Sequence, residues 1–209
     1  QSQHWEKNFS NKPEMFGLEP SLAAIKALKI FKEENISSII ELGAGLGRDT
    51  IYFAKNSIYV EALDYSSSAI NKINQKAKDL GISKFINARI FDVRKKLPFE
   101  NKNFQGCFSH MLYCMALSNT DLENLNFEIL RVLKNNGINI YTVRNVHDGD
   151  YRNGVHISGD IYENDGFIVH FFSKKKIKDL SKGFKIIKIN KFEEGKFPRK
   201  LFFVKNKKI

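Results

Sequence analysis

The chain has 209 residues, of which 42% are hydrophobic and 27% charged. That length and balance suit a single globular domain with a substantial core, and exclude a disordered chain or a small disulfide scaffold. The net charge of +11 is confined to residues 171–209, which hold thirteen Lys and Arg199 against Asp179, Glu193 and Glu194; the preceding residues balance to zero. No apolar run reaches the length of a membrane span. The start of the chain lacks the basic-then-apolar pattern of a secretory signal. With only Cys107 and Cys114, a reducing, cytoplasmic setting is expected.

In chain order, residues 1–20 carry Trp5, Phe9 and Phe16 among polar residues and read as an irregular arm, placed either as a lid or against the first helix. After Ser21, the spacing of Leu22, Ile25, Leu28 and Phe31 predicts a helix. Ser37–Leu42 reads as a short buried strand that runs into a glycine-rich turn, with a helix from Arg48 to Lys55 behind it. Ile58–Leu63 is a second strand. A helix capped by Ser66 or Ser67 follows and stops near Gly81. Phe85–Ile90 and Phe104–Ser109 are the third and fourth strands, Asp121–Leu133 a helix, and Ile138–Val143 a fifth strand. Strand and helix alternate as right-handed crossovers require, which predicts a doubly wound, mostly parallel α/β sheet in one domain. Residues 144–172 break the rhythm and read as an insertion after the fifth strand. A lysine-rich helix near 174–182 and an antiparallel pair, Phe184–Asn190 and Leu201–Lys205, complete the chain.

The chemistry starts at Glu41-Leu42-Gly43-Ala44-Gly45-Leu46-Gly47. Glycines between a strand and a helix let a ligand approach the main chain. A dinucleotide fold spaces them G-x-G-x-x-G to face a pyrophosphate. Here the third glycine comes one residue early and Arg48 takes the dinucleotide position. This spacing suits a ligand without a pyrophosphate, whose ammonium Glu41 would hold. Asp64 ends the second strand on the same sheet edge, where a carboxylate can take both hydroxyls of a ribose; the other reading of Asp64 is a helix cap. Asp92, between Phe91 and Val93, ends the third strand and could accept from an adenine amino group. The three features face the edge where open α/β sheets bind ligands.

Together these segments resemble the class I S-adenosylmethionine-dependent methyltransferases. Glu41–Gly47 is similar to their first motif, Leu63-Asp64 to their ribose acid, and Phe91-Asp92-Val93 to their adenine-side motif. Leu97-Pro98-Phe99 with Phe104–Ser109 resembles the run into their fourth strand, and Leu130–Gly137 the turn before their fifth. Gly47-Arg48-Asp49, with Phe171-Phe172-Ser173 and Glu193-Glu194-Gly195, looks most like the tellurite-resistance and thiol methyltransferase-like group. The resemblance implies a seven-stranded sheet with an antiparallel last strand. It also implies S-adenosylmethionine as cofactor, bound by Glu41, Gly43, Ala44, Gly45, Arg48, Asp64, Tyr65, Asp92, Val93 and Ser109.

Methyl transfer from a sulfonium is an in-line displacement, so positioning does much of the work and a base is needed only for a protonated nucleophile. The acceptor is expected beyond the fourth strand, at Ser109-His110-Met111-Leu112-Tyr113-Cys114-Met115. His110 is the candidate base, since imidazole titrates near neutrality; alternatively it bonds loop backbone. The Asn/Asp-Pro-Pro-aromatic signature of amide and nucleobase methyltransferases is missing here. Trp5, Tyr113, Cys114, Arg144, His147 and Tyr151 are the candidate acceptor-side residues, although a lone cysteine is more often a small buried apolar group. His147, His156 and His170 lack compact metal-ligand spacing, so no metal is expected. The expected function is methylation of a small molecule by a monomer or homodimer without a membrane partner. The alternatives are an RNA or protein methyltransferase docking through its basic C-terminal region, and a silent S-adenosylmethionine-binding protein.

Overall fold

The computed structural model describes residues 2–11, 15, 17–195 and 199–209. Phe16 of the arm and Pro198 of the final turn lie outside them. Helix α1 spans Ser2–Asn11, α2 Leu22–Glu33, α3 Arg48–Lys55, α4 Ser67–Asp79, α5 Asn119–Val132 and α6 Lys174–Leu180. The strands are β1 Ser38–Leu42, β2 Tyr59–Asp64, β3 Ile86–Ile90, β4 Phe104–His110, β5 Leu133–Arg144, β6 Val155–Ser158, β7 Ile161–Asn164, β8 Phe167–His170, β9 Phe184–Glu194 and β10 Arg199–Lys208.

Seven strands form the main sheet in the order β3-β2-β1-β4-β5-β10-β9. The first five are mutually parallel. The last strand in sequence, β10, slots between β5 and β9 and is antiparallel to both. The sheet therefore has the expected strand number and direction. The order reverses at β1, whose neighbours are β2 and β4, so a crevice opens at the carboxyl ends of those strands.

Alternating side chains feed two cores. On one face Ile39, Val60, Ala62, Phe108 and Ile140 meet Ala24, Leu28 and Phe31 of α2, Phe53 of α3 and Ile70 and Ile73 of α4. On the other, Leu42, Cys107, Tyr141 and Val143 meet Leu122, Leu125 and Ile129 of α5 and Ile177 of α6. Phe31 is fully buried, and each large apolar side chain so removed from water contributes about 1.5–3 kcal/mol. The helices begin where serine can cap them. Ser21 accepts from Ala24 N–H at 2.9 Å and Ser66 from Ala69 N–H at 3.0 Å. Ser118 and Asp121 form a reciprocal capping box. Ser66 is therefore the α4 cap, and Asp64 is released from that role.

Two segments differ from expectation. The arm is not irregular, because residues 2–11 are helical. It packs on α4 rather than α2: Phe9 joins Leu46 and Ala69, with Trp5 and Met15 against them. Glu6 secures it, accepting from Ser68 N–H at 3.2 Å and Ser68 Oγ at 2.5 Å. The 144–172 insertion holds a three-stranded antiparallel sheet, β6-β7-β8.

Candidate functional site

The glycine loop leaves β1 with Gly43, Gly45 and Gly47 all at positive φ, 71°, 52° and 78°. L side chains are strained there, and space is short as well. A Cβ on Gly43 would meet Leu112 Cδ1 at 3.0 Å, and one on Gly47 would run into Ile73. Gly43 and Ala44 N–H both donate to Leu63 O, at 2.8 and 3.1 Å, which lays the loop across the end of β2.

There Asp64 completes the cradle. Its Oδ2 accepts from Gly45 N–H at 2.8 Å and its Oδ1 from Ser66 N–H at 2.9 Å. Burial pushes its carboxyl above the usual aspartate range, while those two amides pull the other way. Each oxygen keeps lone-pair capacity for a hydroxyl donor. Glu41 is buried on the α3 side and accepts from Thr50 Oγ1 at 2.6 Å. Burial, with Asp49 and Asp64 adding, raises its carboxyl well above normal; a nearby ammonium would reverse that. Ser109 lies one residue past the Glu41–Phe108 pair of β1 and β4. Its Oγ is buried with no hydrogen-bond partner among the described residues. An orphaned hydroxyl, an acidic cradle and bare main chain on one sheet edge match a ligand that carries ribose hydroxyls and an amino-acid tail.

At the third strand end, Asp92 is held by Arg94, which donates Nε–H at 2.9 Å and Nη2–H at 2.6 Å. This grip keeps its carboxyl below the usual range. An amino-group ligand would share the carboxylate with Arg94. Val93 is buried in the core. Tyr65 is half-buried, and burial, then the Asp64 charge, pushes its phenol upward.

The acceptor-side candidates do not converge. Trp5 roofs the loop: its ring lies 5.4 Å from Phe9 and 5.2 Å from Phe167 of β8. Phe9 Cζ is 3.6 Å from where a Gly45 Cβ would stand. Tyr113 is in the core instead, stacked on Tyr141 at 4.4 Å. Cys114 is buried too, and that burial raises its thiol to about 11; Sγ donates to Met111 O at 3.1 Å. Arg144 is buried and ion-paired with Asp148 and Asp150. His147 is exposed. Tyr151 donates to Asp160 Oδ1 at 2.9 Å, within the insertion. Of these, only Trp5 stands over the cradle through contacts to its walls; Tyr113, Cys114 and Arg144 are buried in the framework, Tyr151 is held within the insertion and His147 faces solvent. Among the described residues no group of His, Cys, Asp and Glu is arranged to hold a metal ion. His170 is buried with Nδ1 on Leu117 O at 2.9 Å, and burial, then Lys176, lowers it to about 4.

His110, at the end of β4, has a polar partner beside each ring nitrogen. Nδ1 is 2.9 Å from Thr142 Oγ1 and Nε2 is 3.2 Å from Glu194 Oε2. Proton removal by His110 would require one partner to yield. In the sequence Glu194 belongs to the Glu193-Glu194-Gly195 resemblance and carries no expected site role. Arg48 Nη2 is 3.9 Å from its other oxygen, so Arg48 turns to β9. Asp49, next to it, takes Ser21 N–H and Oγ at 2.8 and 2.7 Å, which anchors α2. Four of the C-terminal lysines sit elsewhere. Lys185 pairs with Lys207, and Lys188 with Lys205, toward the end of the sheet where β5 starts, opposite the cradle.

Residues 39–137 match the family model described as a methyltransferase domain. The matched segment holds the glycine loop, Asp64, Asp92 and His110, and ends before the insertion and Glu194. No curated protein matches the chain in sequence. Solved structures share the fold of the whole molecule at low identity. The 1,6-didemethyltoxoflavin-N1-methyltransferase of Burkholderia thailandensis, solved with 1,6-didemethyltoxoflavin and S-adenosylhomocysteine, superimposes with TM-score 0.77 at 16% identity over 99% of this chain and 86% of that one. TehB from Haemophilus influenzae gives 0.71 at 17% identity over 98% and 67%. A SAM-dependent methyltransferase from Methanosarcina mazei gives 0.71 at 18% over 82% and 92%. The matched segment thus sits in a seven-stranded α/β fold shared with these structures, with α1 and α2 before it and the rest of β5, the insertion, α6 and the β9–β10 pair after it. No helix among the described residues is long and apolar enough to cross a membrane.

Proposed function

We propose that the chain is an S-adenosylmethionine-dependent methyltransferase acting on a small molecule. The observation that carries this reading is the Asp64 cradle, a buried carboxylate tied to Gly45 and Ser66 N–H and open to further donors. In this reading Asp64 takes the ribose hydroxyls and Gly43 and Ala44 offer bare main chain to the amino-acid tail. Glu41 faces the tail ammonium, and Asp92, Val93 and Tyr65 flank the adenine. Ser109 supplies its free hydroxyl.

When bound, the cofactor supplies an electrophilic methyl group on a sulfonium. Passing that methyl group to the acceptor would leave S-adenosylhomocysteine. The protein's part is to hold the acceptor in line and exclude water. Trp5 and Phe9 supply the apolar roof. His110 is the polar group at the acceptor strand's end; it orients the acceptor, and takes its proton only if Thr142 releases Nδ1. The toxoflavin-precursor enzyme that shares the fold supports a small acceptor, and so does the distance of the paired lysines from the cradle.

Titration calorimetry of the full chain with S-adenosylmethionine and S-adenosylhomocysteine tests the donor half. Saturable binding of both is expected, weakened by Asp64→Asn; no heat from either at millimolar concentration overturns the reading. Label transfer from methyl-labelled cofactor to thiol, amine, phenol, N-heterocycle or metalloid acceptors then finds the substrate class.

A further inference from the structure

We propose that Glu194 is a positioning residue for His110, so that the C-terminal strand pair completes the acceptor half of the site. This inference rests on the methyltransferase reading for its purpose, but the geometry stands by itself. Glu194 ends β9, and its side chain is 18% exposed. One oxygen, Oε2, faces His110 Nε2 at 3.2 Å. The other, Oε1, accepts from Leu22 N–H at 3.1 Å and faces Arg48 Nη2 at 3.9 Å. One carboxylate thereby touches the start of α2, faces Arg48 at the start of α3, the helix that follows the glycine loop, and meets the end of the acceptor strand.

The charge logic is consistent with that placement. Burial alone would raise the Glu194 carboxyl. His110, the Leu22 amide and Arg48 outweigh it and hold the carboxyl below its usual range. Glu194 is therefore an anion at neutral pH and an acceptor only. It calls for a proton on His110 Nε2.

Thr142 fixes the opposite side of the ring. Its Oγ1 already accepts from Met111 N–H at 3.0 Å, which leaves its single O–H to donate to Nδ1 at 2.9 Å. The two partners agree on one neutral tautomer, with the proton on Nε2 and Nδ1 as acceptor. Any group that displaces the Thr142 hydroxyl meets an imidazole already set to receive a proton at Nδ1, with Glu194 behind it. This is the orienting relation a carboxylate serves in a base dyad. Asp49, 3.9 Å from Arg48 Nε, is the remaining charged group in the cluster. It is turned to Ser21 and competes for Arg48, not for His110.

The test is a long-range proton–nitrogen spectrum of the full chain labelled with ¹⁵N-histidine. Wild type is expected to show His110 as the Nε2–H tautomer, and Glu194→Gln to lose roughly tenfold of that preference, the worth of one hydrogen bond to a charged group. Glu194→Asp should restore part of it. His156, exposed and bonded to Gly159 O within the insertion, should not change. A His110 spectrum identical in wild type and Glu194→Gln overturns the proposal, as does the Nδ1–H tautomer in wild type. Should Glu194→Gln fail to fold, carboxyl ¹³C titration replaces it. Glu194 should titrate below the usual range in wild type and move up in His110→Asn; an unmoved Glu194 overturns the proposal. Absence of cofactor binding in calorimetry would defeat the methyltransferase reading and leave these imidazole readouts intact, so the two failures are distinguishable.

Discussion

The Asp64 carboxylate accepts the Gly45 amide at 2.8 Å, and so locks the end of β2 to the middle of the glycine loop. Asp64→Asn keeps the side chain's shape and removes its charge. Cofactor affinity should fall about 10- to 100-fold, the range for hydrogen bonds to a charged group, with little change in fold by circular dichroism. Equal affinity in wild type and variant would detach Asp64 from the ligand.

The same residue gives a pH dependence. Burial raises the Asp64 carboxyl above the ordinary aspartate range, and protonation costs it an acceptor site. Affinity for S-adenosylhomocysteine should therefore decline as pH falls, beginning above the range where an exposed aspartate titrates. Asp64→Asn should flatten that decline. Calorimetry across pH reads it; identical slopes for the two proteins would refute it.

Gly47 stands at φ 78° with Ile73 where its Cβ would go. Gly47→Ala should lose about 2–4 kcal/mol from strain and overpacking combined. Gly149, with open space around it and no positive φ, is the control, and Gly149→Ala should be near neutral. Denaturant melts of both variants decide; similar midpoints would show that α4 yields to the new methyl.

Arg131 braces the loop between β3 and β4. It donates to Leu97 O at 2.9 Å and Phe99 O at 2.6 Å and pairs with Glu128 at 2.6 Å. The pairing with Arg131 holds the Glu128 carboxyl below its usual range. A depressed folded-state value means that this stabilisation is complete above the unfolded glutamate range and lost as pH falls through the folded one. Arg131→Ala should cost about 1–3 kcal/mol at neutral pH and lose less in acid. A pH-independent difference between the melts would count against the pair.

Both thiols are buried, and that burial raises each above its ordinary value, Cys114 to about 11. Thiolate is the reactive form, so an aromatic disulfide reagent at neutral pH should label neither cysteine in the folded chain and both in denaturant. Rapid native labelling of Cys114 would restore it as an acceptor-side candidate.

The β-α order, α3 and the donor cradle were legible because each rests on local pattern, namely apolar periodicity, serine caps and glycines at strand ends. The arm was not. Trp5 and Phe9 are its main apolar residues, and α1 owes its helix to packing on α4 and to Glu6 at the α4 start. The insertion's strands are four residues each, and β6 is exposed throughout, so no alternation marks them. Tyr113 and Cys114 look like pocket residues by position. Met111 at φ 62° redirects the chain after His110, and the two that follow Leu112 end in the core. Glu194 belongs to a segment that the resemblance picks out, but nothing local points to His110; it pairs with residues from β4 and α3 that only the folded sheet brings near.

The place of β10 sets an order of events during synthesis. β9 leaves the ribosome before β10, yet it joins the sheet only through β10. Until residues 199–208 emerge, β5 presents a bare edge beside buried Tyr141 and Val143, the kind of edge that invites pairing with another chain. Glu194 reaches His110 only after that gap closes. A nascent chain halted before β10 would therefore carry a formed glycine loop and a histidine without its carboxylate, so the two halves of the site mature at different times.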